Sequence, residues 1–415
     1  MQLVAYGAQD IYLTGNPQIT FFKVVYRRYT NFSMECIQQT FNGTAGANSL
    51  VTATVARNGD LVHDSYIKFM IQQLNNTSAG QYRSNLGYSL INNIEVEIGG
   101  QVIDRQTGYF LEAYSELTQP SFNAIQKEVL STSHLFTING SNTLTPFQIT
   151  TGSGGVYSYG GSVDNTSTGF NLYVPLQFWF NRNVGLSLPL IALQYHEVNI
   201  NVNFSGVYGF SELGTIQSEL WCNYIYLDTD ERRRFAQVSH EYLIEQVQSQ
   251  IYNKNADTTL SINLVFNHPV KELIWGLVRG PTEWDDNQYA GNLDGNATYD
   301  GGISPLLDKD STIVLKLNGQ DRFESQELSY FTRYQPMKYH TCMGKTHNLD
   351  TIGVYSFALK PEEHQPSGTC NFSRIDTAQL YIEKATANLG NINIYAINYN
   401  VLRIMSGMGG LAYSN

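Results

Sequence analysis

The strongest constraint on this chain is a set of short segments, found in both halves, in which apolar and polar residues alternate strictly. Val198, Ile200, Val202 and Phe204 point one way, and Glu197, Asn199, Asn201 and Asn203 the other. A period of two belongs to a strand with one buried face and cannot be a helix. The pattern recurs with Ile94, Val96 and Ile98 against Glu95 and Glu97, and with Leu260, Ile262, Leu264 and Phe266 against Ser261 and Asn263. It recurs again with Ile313, Leu315 and Leu317 against Thr312 and Lys316. Strands with one wet face form antiparallel sheets. A chain with 15% charged residues, 13% aromatic residues and 35 glycines suits strands joined by turns, so an all-β protein is expected.

The pattern is also duplicated. "IEVEIGGQVIDRQ" (94–106) and "IVLKLNGQDRFES" (313–325) each run from an alternating strand through Gly-Gln into a polar segment, and then reach Tyr-Phe at 109–110 and 330–331. "YVPLQFWF" (173–180) and "YSFALKPE" (355–362) lie 182 residues apart, and that offset also lays "LPLIALQYHEVNI" over "CNFSRIDTAQLYI". The offset is 219 at Gly-Gln and 182 later, so the first copy carries about 37 more residues, placed in the Gly/Ser/Thr-rich stretch 137–170 as an exposed loop. Between the copies, Asp228 with Glu231 three positions on marks the capping-box-like start of a short connecting helix. At 415 residues the chain has room for two cores. The expected organisation is an N-terminal arm over 1–30, a first eight-stranded antiparallel sandwich or jelly roll over 31–228, a connecting helix and linker over 229–240, and a second jelly roll over 241–415.

The arm contains "GNPQITFFKVVYRRYT" (15–30). At helical spacing Phe21, Phe22, Val25, Tyr26 and Tyr29 form one stripe, with Lys23, Arg27 and Thr30 opposite; Asn16 and Pro17 suit a helix start. Such a short amphipathic helix either packs on its own domain or docks on something outside the chain.

Composition narrows function. A net charge of −11 disfavours direct nucleic-acid binding, because the dense basic runs are only Arg27-Arg28 and Arg232-Arg233-Arg234. Cys36, Cys222, Cys342 and Cys370 are widely spaced without CxxC, as in reduced cytosolic thiols. No secretory signal is read at the N-terminus, and the apolar stretch 173–193 is interrupted by Arg182 and two prolines. "CMGKT" (342–346) lacks the glycine spacing of a phosphate loop, and neither Gly-x-Ser-x-Gly nor His-Glu-x-x-His occurs. His340, Cys342, His347 and Cys370 are zinc-ligand types without zinc-site spacing, and Asp308 and Asp310 read as solvated carboxylates. No catalytic residue, metal site or cofactor is expected.

The segments "AYGAQDIYLTGNPQITFFKVVYRRYTNF" (5–32), "RNGDL" (57–61), "LPLIALQYHEV" (188–198), "FNHPVKELIW" (266–275), "LNGQDRF" (317–323), "FALKPEEHQPSGTCNFSRID" (357–376) and "NYNVLRIMSGMGGLAY" (398–413) closely resemble the major capsid proteins of nucleocytoplasmic large DNA viruses, in particular the phycodnavirus (algal virus) branch. The resemblance implies a double jelly roll whose homotrimer forms a pseudo-hexagonal capsomer in an icosahedral virion shell assembled in the host cytoplasm. It also implies neighbouring capsomers, minor capsid and penton proteins as partners, with the internal viral membrane at the capsomer base. There the arm, through Phe21, Phe22, Lys23, Tyr26, Arg27, Arg28 and Tyr29, would make its contacts. Loops 137–170 and 281–305 are expected on the outer face. Two other classes stay open on composition: a carbohydrate-binding or carbohydrate-active double β-sandwich, and a monomeric cytosolic scaffold.

Overall fold

The computed structural model describes residues 16–17, 22, 28–71, 86–119, 146–151, 170–206, 216–278, 307–341, 352–385 and 390–413. Among the described residues ten strands precede residue 228: β1 (Phe32–Gln39), β2 (Phe41–Asn42), β3 (Leu50–Thr54), β4 (Leu61–Ile71), β5 (Ile91–Ile98), β6 (Gln101–Thr107), β7 (Phe170–Pro175), β8 (Leu188–Pro189), β9 (Val198–Phe204) and β10 (Ile216–Leu227). They form two antiparallel sheets, β1-β10-β4-β7 with β8 on β4, and β2-β3-β9-β5-β6. Eleven follow: β11 (His240–Lys254), β12 (Thr259–Asn263), β13 (Pro269–Val278), β14 (Leu307–Leu317), β15 (Gln320–Asp321), β16 (Gln326–Glu327), β17 (Ile352–Ser356), β18 (Cys370–Asn371), β19 (Ala378–Ala385), β20 (Gly390–Met405) and β21 (Met408–Leu411). Their sheets run β11-β20-β13-β17, with β18 on β13 and β21 on β20, and β12-β19-β14-β15, with β16 on β14.

The two sets correspond strand for strand. β1-β10-β4-β7 matches β11-β20-β13-β17, and β3-β9-β5-β6 matches β12-β19-β14-β15, so each set is an eight-stranded sandwich of jelly-roll order with short strands added at its margins. Even the two-residue strands β8 and β18 obey the 182-residue offset, and they pair with the corresponding strands β4 and β13. The hairpins β5–β6 and β14–β15 turn through Gly99-Gly100 and Asn318-Gly319, with φ of +58° and +85° and of +50° and +77°. Positive φ at both central residues is the two-residue turn that matches strand twist, which is why glycine and asparagine recur at these positions. Each hairpin then leads to a helical segment: α1 (Gly108–Thr118), whose first turn is capped by Thr107 Oγ1 accepting from Phe110 N, and a π-helical turn Tyr330–Tyr334 that continues into Gln335–Tyr339.

The connecting helix α2 (Thr229–Gln237) starts where the sequence marked it, with Asp228 Oδ1 accepting from Thr229 N at 2.7 Å. Asp230 and Glu231 in its first turn and Arg234 in its last are placed favourably for the helix dipole. The loop expected over 137–170 is not wholly exposed. Pro146–Thr151 is helical, Phe147 packs on the core, and Thr151 is buried with its hydroxyl donating to Phe147 O. The packing of the half-buried Phe147 outweighs the turn-rich composition at that point. The rest of that loop and the whole of 281–305 lie outside the described residues.

Val198, Ile200, Val202 and Phe204 are buried and face Ile67, Phe69 and Val174 in the first sandwich. Leu260, Ile262, Ile313 and Leu315 line the second, with Leu273, Trp275 and Ile394. The sheet β11-β20-β13-β17 is buried on both faces. Leu273, Trp275 and Ile394 point into the second sandwich, while Ile274, Val354, Tyr395 and Ile397 join the core of the first. Burial on both sides explains why apolar residues follow one another without alternation at Leu273-Ile274-Trp275 in β13 and at Ile394-Tyr395-Ala396-Ile397 in β20.

Candidate assembly interface

Of the arm residues singled out in sequence, Phe22, Arg28 and Tyr29 are described and exposed, with Phe22 98% accessible and Tyr29 edge-on to Phe32 at 6.1 Å. Phe21, Lys23, Tyr26 and Arg27 lie outside the described residues. Asn16 has φ +54°, a left-handed conformation instead of the extended one that a helix N-cap takes, so the expected start signal is not used in that way.

The densest polar chemistry lies where the two jelly rolls meet. Arg182, in the single turn Trp179–Arg182, reaches across to β11, its Nη1 lying 3.0 Å from Glu245 Oε2 and 2.9 Å from the Tyr114 hydroxyl of α1. Lys271 Nζ approaches the other carboxylate oxygen at 2.7 Å and has no exposed side-chain surface. Burial would push the Glu245 carboxyl up, but Arg182 and Lys271 outweigh it and hold it at about 2. Asp104 on β6 accepts from Val247 N at 2.9 Å and from Gln106 Nε2 at 2.9 Å; burial dominates there and raises its pKa to about 6. Gln246 Nε2 donates to Ile103 O, Thr107 Oγ1 meets the Tyr395 hydroxyl at 3.1 Å, and Phe110 packs edge-on against Tyr395 at 5.4 Å. Tyr195 N donates to Gly407 O, and His196 Nδ1 lies 3.0 Å from Gly409 O. First-roll elements β6, α1 and the Trp179–Arg182 turn thus seat on the outer face of the second roll's sheet.

Residues weighed as ligands have other occupations. His340 is buried between Glu272, 3.2 Å from Nε2, and Glu362, 3.0 Å from Nδ1. Burial opposes its protonation, yet the two carboxylates raise its pKa to about 9. Cys370 pairs within the sheet on β18, Asp310 is exposed, and Cys342 and His347 lie outside the described residues. Among the described residues no group of three His, Cys, Asp or Glu is placed to hold a metal ion, and no helix is long and apolar enough to cross a membrane. Sequence reading missed Arg182, Glu245, Lys271 and Glu272. Arg182 had registered only as the charge that interrupts an apolar stretch, which was the available sign of a buried, paired cation.

Known proteins are similar to this chain along its length. The family "Large eukaryotic DNA virus major capsid protein" matches residues 231–410, and "Major capsid protein N-terminus" matches residues 20–228. The major capsid protein of Pyramimonas orientalis virus is 46% identical, covering 100% of this chain and 99% of its own. That of Paramecium bursaria Chlorella virus 1 is 40% identical with the same coverage. Among solved structures, a chain of the PBCV-1 virus capsid superposes with a TM-score of 0.75 at 35% identity, covering 95% of this chain and 100% of that one. The Faustovirus major capsid protein, at 14% identity and TM-score 0.65 with 96% and 94% covered, shares the fold. The family assignment gives no support to a carbohydrate-binding sandwich. Two jelly rolls joined through a buried ionic junction, and matched along their length by these relatives, place the chain in the major capsid proteins of large eukaryotic DNA viruses.

Proposed function

We propose that this capsid protein assembles as a homotrimer, a pseudo-hexagonal capsomer that tiles an icosahedral shell together with neighbouring capsomers and penton proteins. The observation that carries the reading is the strand-for-strand duplication: three chains supply six near-equivalent sandwiches, the unit that hexagonal packing requires. Units at 31–228 and 241–415 act as the two rolls, with 229–240 as the linker. The role is structural, without catalysis or cofactor, and shell assembly belongs to the host cytoplasm.

The arm over 1–30 serves as the attachment element at the capsomer base. Phe21, Phe22, Tyr26 and Tyr29 offer an apolar stripe to minor capsid proteins or the internal membrane, while Lys23, Arg27 and Arg28 meet acidic groups or lipid phosphates. The exposure of Tyr29, at 81%, supports this reading. Sedimentation of the purified protein tests the trimer, and a chain beginning at residue 31 should still form it while losing affinity for anionic vesicles or minor capsid proteins. A shortened chain that no longer forms trimers would return the arm to the fold.

A further inference from the structure

The chain between β17 and β18 closes on itself. Leu359 N donates to Ser367 O at 3.3 Å and Lys360 N to Ser367 Oγ at 3.0 Å. Phe357 N and Ala358 N both donate to Lys271 O, which fixes the start of the loop on β13. Compact surface loops with joined ends are frequently functional. The side chains of this one reach two places. Glu362 runs to the end of the helical segment Tyr330–Tyr339, where it accepts from Thr341 N at 2.8 Å and from the Thr341 hydroxyl and lies 3.0 Å from His340 Nδ1. His364 Nδ1 comes within 3.7 Å of Glu245 Oε1, on the carboxylate that anchors Arg182 of the first roll. Residues 359–367 therefore span from the helical segment to the junction of the two rolls.

The His340 ring fastens that span. Its side chain has no exposed surface, and each ring nitrogen faces a carboxylate: Nδ1 faces Glu362, and Nε2 faces Glu272 of β13 at 3.2 Å. A neutral imidazole carries one N–H and can serve only one of the two, so serving both takes the imidazolium. The two carboxylates are not equivalent. Glu272 is 1% exposed, and among the described residues His340 is the only cation within ion-pair distance of it. Glu362 is 24% exposed and can turn to water. Loss of the ring proton therefore leaves the remaining N–H on Nε2, against the carboxylate that water does not reach, and aims the Nδ1 lone pair at Glu362. Neighbouring charges do not replace the lost one. Lys271, Arg182 and His364 are turned to Glu245, Lys360 pairs with Glu363 at the loop tip, and Lys338 lies over the Tyr334 and Tyr339 rings.

We infer that residues 359–367 are a strap closed across the roll junction by the His340 imidazolium, and that removing the ring proton releases the strap at Glu362 while His340 stays on Glu272. The device couples a proton to the cover of the junction, since the strap that lifts is the one that carries His364 over Glu245. Burial alone would lower the His340 pKa, but the two carboxylates raise it from 6.5 to about 9. The closed strap is thus fully favoured below pH 6.5 and loses its hold as pH rises through 9.

Hydrogen exchange of the full-length protein tests it, with each rate divided by the intrinsic rate at that pH. Between about pH 6.5 and 9.5, protection of the Thr341, Leu359 and Lys360 amides should fall about tenfold or more, while the amides of β9 keep theirs. In Glu362→Gln, a change at a partly exposed side chain, the same amides should be less protected at the acid end of that range and show no step. His340→Gln should likewise abolish the step; should that variant fail to fold, the Glu362→Gln comparison decides. Strap protection that stays constant across the range in unmodified protein, a loss shared equally by β9, or an unchanged step in Glu362→Gln would each overturn the inference.

Discussion

Replacing Glu245 with glutamine removes the one carboxylate shared by Arg182 and Lys271 at the junction of the rolls. Its carboxyl titrates at about 2 against an ordinary 4.5, a difference of about 2.5 pH units. At 1.36 kcal/mol per unit this is about 3 kcal/mol, and with only 6% of the side chain exposed little is lost to solvent screening. An independent scale agrees, since breaking a buried pair by removing one partner costs roughly 3–5 kcal/mol. For a folding unit of about 200 residues that corresponds to a fall of roughly 6–12 °C in Tm at pH 7, read by calorimetry. A pKa lowered by folding gives stability that is complete above pH 4.5 and lost as pH falls toward 2. Asp104 runs the other way: its pKa is raised from 3.8 to about 6, so its contribution improves as pH falls through that window. Unmodified protein should therefore gain stability on acidification from pH 6 toward 4 and lose it below, whereas Glu245→Gln should keep the gain and lack most of the later loss. Adding Lys271→Met to Glu245→Gln should cost less than the two changes summed, because the second removes the cation that the first strands. A Tm within about 2 °C of the unmodified protein at pH 7, or an unaltered profile below pH 4.5, would refute the argument.

Three further outcomes follow from the same geometry. The His340 pKa is raised by folding from 6.5 to about 9, so its stabilisation is complete below pH 6.5 and is lost as pH rises through 9. That loss is worth about 3 kcal/mol, and His340→Gln should flatten the alkaline limb of a Tm-against-pH curve. Phe204→Ala should cost roughly 3–5 kcal/mol, while Asn201→Ala, which gives up bonds to Thr52 and Glu97 on the polar face, should cost about 1 kcal/mol; equal Tm losses would mean that the strand register is wrong. Gly353→Ala should lower Tm more than either, because a Cβ there would sit 2.2 Å from the Trp275 ring; a Tm near that of the unmodified protein would contradict the close packing of β17 on β13.

Much of the fold was legible because its signals are local. Period-two alternation assigned β5, β9, β12 and β14 to half-buried strands, and the Gly-Gln that ends two of them recurs at the places where the structure turns its hairpins. The duplication was visible because corresponding strands need the same turns at the same places. The helix α1 escaped notice because nine of its eleven residues, Glu112 and Glu116 among them, are buried, and burial on several sides erases the 3.6-residue stripe.

By itself, then, the sequence determined the alternation, the turns, the capped linker helix and the twofold repeat, each written within a few neighbouring residues. Only the tertiary structure decided which charges are buried together. Arg182 meets Glu245, Asp104 meets Val247 and Thr107 meets Tyr395 across 63, 143 and 288 residues of chain. Nothing near Glu245 in sequence announces its cations, and a carboxylate on a strand reads as solvated until a second sandwich closes over it and makes the partner obligatory.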